Sequence, residues 1–152
     1  MEMLHDELSW EVWGLQLIAD HRVRFDALVE ELIEGLPESL RVMLDRVPVI
    51  VLDEPEQSML DELESEFGLR DSPDTLCGLH TGTALTERSV EHHADLPETI
   101  HLFRRGIVHM AGGWERPDAV GCIKEQIMIT LLHEIGHHFG LDEQDLADLG
   151  YD

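Results

Sequence analysis

The chain has 152 residues, 33 of them acidic and 10 basic, for a formal charge of −23. A field of that sign repels phosphate backbones and argues against nucleic acid as a partner. The length suits one domain able to bury a core without disulfides. Two lone cysteines, Cys77 and Cys122, form no CxxC pair and read as small buried hydrophobes of a reducing compartment. The opening MEMLHDELSWEVW has early acids and no basic or long apolar stretch, so neither a secretory signal nor a membrane span is predicted, and the expectation is a soluble, cytoplasmic protein.

In residues 1–20, Leu4, Leu8, Val12 and Leu15 fall near helical spacing beside Trp10 and Trp13, which predicts an amphipathic lead-in helix. Phe25, Leu28, Val29, Leu32, Ile33 and Leu36 mark one face of a second helix, closed by Gly35 and Pro37. A short helical turn holding Leu40, Met43 and Leu44 precedes PVIVL, residues 48–52, whose β-branched apolar run predicts a buried strand. Residues 53–75 crowd acids around Leu60, Leu63 and Phe67. A short helix is possible there, but a solvated acidic loop is favoured. LCGLHTGTALTERSV reads as strand, turn and strand, and PETIHLFRRGIV as a further strand with Ile100, Leu102 and Ile107 inward. After a loop marked by Gly112, Gly113 and Pro117, a long helix runs from Asp118, its N-cap, to Phe139. The order predicts a single small α+β domain with helices against one sheet.

That last helix contains LLHEIGHHFGLDEQDL, residues 131–146. His133 and His137, four apart, project from the same helix face, the spacing two zinc ligands need. Glu134 is rotated by about 100° and can reach a water at the metal rather than ligate it. From this chain's own frequencies, HExxH arises by chance with a probability of about 8%, but HExxHxxG with an acid at the eleventh position only about 0.1%, so the extended string carries the inference. A catalytic zinc takes a third protein ligand and leaves one position open. Few residues follow His137, so that ligand is local: Gly140 can turn the chain back, and Glu143 is the best candidate by spacing, with Asp142 its nearest rival. His138 points away from the pair and reads as a neighbour or core histidine. His80, His101 and His109 read as surface or packing residues, and the adjacent His92 and His93 as side chains that diverge on a strand.

These residues resemble the end of the small bacterial zincin-like metallopeptidases, the minimal zincins. FDALVEELIEGLP, VPVIVLDEP, LCGLHTGTALTERSV and LPETIHLFRRGI are similar to that family in order and spacing. The resemblance covers roughly residues 23–152, with 1–22 as an N-terminal extension. It implies a zincin-like α+β domain, in which an active-site helix lies beneath a small mixed sheet and an N-terminal helix packs behind. It makes His133, His137 and Glu143 the zinc ligands and Glu134 the catalytic glutamate. The family's aspartate or histidine position is a glutamate here. No methionine follows Met128 to make a methionine turn, and the resemblance puts Tyr151 under the site instead, as a hydrogen-bond donor to the developing oxyanion.

The implied activity is hydrolysis of peptide bonds by a zinc-activated water with Glu134 as general base, on a peptide or protein laid along the 76–86 strand. A homodimer is compatible with the sequence, and a membrane partner is not expected. Two rivals stay open: a zincin-fold module that binds peptides without cleaving them, and a metal-dependent hydrolase of non-peptide substrates.

Overall fold

The structure, a computed structural model, describes residues 19–68, 72–82 and 98–148. Helix α1 covers 19–34 and is continuous across residues 22 and 23. It buries Phe25 and Val29, and Leu28, Leu32 and Ile33 pack partly buried beside them. Pro37, extended at φ −52° and ψ 147°, separates it from α2, Glu38–Leu44, which buries Leu40. The predicted lead-in helix around Trp10 and Trp13 lies outside the described residues.

Among the described residues three strands form one mixed sheet in the order β1-β3-β2. β1, Val49–Leu52, pairs in parallel with β3, Thr99–Phe103. β2, Gly78–Thr81, pairs antiparallel with β3, His80 standing opposite Ile100. Among the described residues β1 lies at one edge of the sheet, which corrects the expectation of a buried strand: Ile50 is 41% exposed. The return strand predicted after β2 lies outside the described residues.

Alternation along β3 splits the interior in two. Ile100 and Leu102 face the main core with Phe25, Ile107 and the long helix α5, Ala119–Phe139. Phe103 faces the other way, into a second cluster with Leu63 and Leu76. Leu63 comes from α3, Gln57–Phe67, in the acidic stretch where a solvated loop was favoured. The correction has a plain cause: Met59, Leu60 and Leu63 close over Phe103 and Leu79, while Asp61, Glu62 and Glu64 stay exposed. Gly68, left-handed at φ 65°, ends the helix. Because Leu63 anchors α3, Leu63→Ala is expected to cost about 2–3 kcal/mol in urea unfolding; a loss below roughly 0.5 kcal/mol would mean that α3 is not bound through this residue.

The strand expected over 97–108 ends at Phe103, and Arg104–Ala111 is a helix, α4. Phe103, Ile107 and Ala111 are buried at a spacing of four, so the period has changed from that of a strand to that of a helix. Arg104 fixes the turn: its guanidinium bonds both carboxylate oxygens of Asp26 at 3.0 and 2.9 Å and reaches Asp53 at 2.9 Å. Three segments are thereby tied at one point.

α5 buries Ile123, Ile127, Leu131 and Ile135 completely, a four-residue repeat against the sheet. Asp118 holds its N-cap position, but with a left-handed backbone (φ 61°) and no side-chain cap bond; its carbonyl accepts the N–H of Cys122 at 3.0 Å. No helix among the described residues is long and apolar enough to cross a membrane.

Candidate metal centre

The last turns of α5 lie beside β2, the sheet edge opposite β1. Gly78 makes this approach possible. A Cβ there would come within 2.6 Å of Thr130 Cγ2 and 3.2 Å of Glu134 Cγ. With no side chain in the way, the backbone N–H of His80 donates to the Glu134 carboxylate. The helix and strand wall a cleft of about 570 Å³. His80, His133, Glu134 and His137 line it together with Thr75, Gln126 and Thr130, and Leu63, Leu79 and Ile129 supply much of its apolar wall.

His133 and His137 are both exposed, with ring centroids 4.3 Å apart. Neither ring makes a hydrogen bond among the described residues. Burial, helped by the nearby His133 and His80, pulls the His137 pKa down, which keeps its imidazole neutral and its lone pair available near pH 7. Glu134 is buried, at 5% exposure. Burial pushes its carboxyl up to about 7, against the opposing bond from His80. Its Oε2 is buried and without a hydrogen-bond partner among the described residues, and stands 3.6 Å from His137 Nδ1. An orphaned carboxylate oxygen beside two uncommitted imidazoles suits a zinc-type ion with a water next to it. The residues present fit the group that the sequence motif implies.

Past the helix, Gly140 takes the left-handed conformation anticipated for it, φ 66° and ψ 29°, and the N–H of Leu141 returns to Gly136 O at 2.8 Å. Asp142 Oδ1 then accepts the N–H of Asp145 at 2.8 Å, and Asp145 Oδ2 accepts that of Asp142 at 3.0 Å. This reciprocal cap opens α6, Glu143–Asp148. The rival third ligand, Asp142, is thus engaged in capping. Glu143 starts α6, while its side chain, like Tyr151, lies outside what the structure describes.

The structure brings together His133, Glu134 and His137, and adds a group that sequence reasoning missed. His138 is buried as expected of a core histidine, but its Nδ1 contacts Glu98 Oε2, and the same oxygen contacts His80 Nε2. Glu98, just before β3, is 5% exposed. The one local signal was the register of β2, which turns His80 to the same face as Gly78. His101 is buried and stacks on Phe103, His109 is exposed, and His92 and His93 lie outside the described residues.

The sequence model of the family described as zincin-like metallopeptidase matches residues 44–151. The match begins at the end of α2 and takes in the whole sheet, α4 and the α5 cleft. This chain belongs to the zincin-like metallopeptidase family.

Proposed function

We propose that the protein is a zinc-dependent peptidase working in the cytoplasm, with His133 and His137 as metal ligands, Glu143 as the third and Glu134 as general base. The observation that carries this reading is the buried Glu134 carboxyl, its pKa raised to about 7, with one oxygen unsatisfied among the described residues beside two exposed imidazoles. A bound zinc supplies Lewis acidity at the scissile carbonyl and lowers the pKa of a bound water to about 7.

The chain's own residues do the rest. A base with a pKa near 7 accepts a proton and gives it up again at neutral pH. Glu134 Oε2 takes the proton of the attacking water, and the same oxygen delivers it to the leaving amine. The N–H of His80 fixes the other side of the carboxylate, so Glu134 does not have to reorganise between the two transfers. An extended peptide adds through backbone hydrogen bonds to the edge of β2 that has no strand beside it among the described residues, and its apolar side chains meet Leu63, Leu79 and Ile129. Tyr151 donates to the oxyanion.

The zinc-loaded protein is expected to cleave members of a peptide library and to stop on chelation. His133→Ala and His137→Ala should each lose one equivalent of zinc, by elemental analysis after dialysis, together with cleavage. Full zinc retention in both variants would contradict the ligand assignment.

A further inference from the structure

We propose that His80, Glu98 and His138 form a second divalent-cation site, separate from the His133–His137 centre and independent of the peptidase reading. Their ligand atoms lie within 4.8 Å of one another. His80 Nε2 and His138 Nδ1 both contact the same oxygen, Glu98 Oε2. Three donor atoms therefore crowd one point instead of spreading over the carboxylate. They arrive from three segments held by independent packing: β2, the residue preceding β3, and α5. The β2–β3 register sets Thr81 opposite Thr99, which places Glu98 at the end of the strand pair. The Gly78 contact then presses α5 and His138 against it.

Charge supplies the second argument. The Glu98 and His138 side chains are 2% and 5% exposed, and that of His80 10%. A buried carboxylate is costly without a balancing charge. Glu134, a second buried carboxylate, is joined to the same strand through the His80 N–H. Two histidine nitrogens with one glutamate oxygen are a donor set that zinc accepts, and a divalent ion bound there brings positive charge to the buried carboxylate. Tetrahedral zinc holds its ligand atoms about 3.3 Å apart, a spacing inside the 4.8 Å over which these three lie. His80 lines the cleft, which gives the ion its way in and a face for a remaining ligand. Bound there, the ion would pin the β2 edge to α5 next to Glu134.

The test removes the first centre. Both of its histidines are exposed, so His133→Ala/His137→Ala is expected to stay folded by circular dichroism. After zinc loading and dialysis it should retain one equivalent. That equivalent should vanish on adding Glu98→Gln and, separately, His80→Gln, the less buried of the two and the deciding variant should Glu98→Gln unfold. In the unmutated background, His80→Gln should reduce two equivalents to one. A folded double variant that binds no zinc would overturn the site and leave Glu98 as a hydrogen-bonded brace. An equivalent that persists in folded His80→Gln would overturn it too, by putting the ion elsewhere. Loss of peptide cleavage alone would bear on the first centre and not on this count.

Discussion

Glu134→Gln is expected to keep zinc at the α5 centre and to lower peptide turnover by roughly three orders of magnitude, the middle of the range that a positioned general base contributes. Glutamine keeps the shape and the bond from His80 N–H, but has no oxygen able to take a proton. The same substitution should stabilise the metal-free protein. Burial holds the folded pKa of Glu134 at about 7, against 4.5 for the free group. A raised carboxyl pKa means that folding favours the protonated form, so stability falls as pH rises from about 4.5 through about 7, and the deficit persists above. Glutamine cannot ionise. In the presence of chelator, the variant should therefore be more stable than the parent at pH 8 by up to roughly 3 kcal/mol, and about equal to it at pH 4. Urea unfolding at the two pH values measures this. Equal stability at pH 8 would show that Glu134 is not held in a costly ionised state, and unchanged turnover would remove it as the base.

Gly106→Ala carries the largest structural effect. Alanine is the better helix former by about 1 kcal/mol, and at an open position in α4 it would stabilise the helix. Here a Cβ would lie 2.0 Å from Leu76 O, 2.6 Å from Leu76 C and 3.2 Å from Cys77 N. These are backbone atoms of the segment entering β2, and no side chain can swing aside to make room. The steric term wins, at a net cost of about 3 kcal/mol or more. The shift would also carry Gly78 and His80 away from Glu134, so the cleft should open as stability drops. An unchanged or higher melting temperature would mean that α4 and residues 76–77 are not in contact.

How much of this could be read in advance followed the range of the interactions. His133, Glu134 and His137 share a few residues of one helix, so their geometry is local and spacing alone revealed it. The left-handed Gly140 was equally local. The acidic stretch before β2 misled because charge dominates its composition, whereas Met59, Leu60 and Leu63 find their partners in Phe103 and Leu79 only after folding. The β3–α4 junction was missed because Arg104 answers to Asp26 and Asp53, far away in sequence. Spacing favoured Glu143 and left Asp142 as its rival; the Asp142–Asp145 cap engages that rival. His80, Glu98 and His138 meet through strand register and helix packing together, and no short pattern encodes that.

The most direct measurement of the central claim is anomalous diffraction at the zinc edge from crystals grown with zinc. The account predicts a strong peak in the cleft within about 2.0–2.1 Å of one ring nitrogen each of His133 and His137, beside Glu134, with the Glu143 carboxylate closing on it. Zinc-saturated crystals with no peak between those two rings would contradict it, whatever other positions the ion occupied.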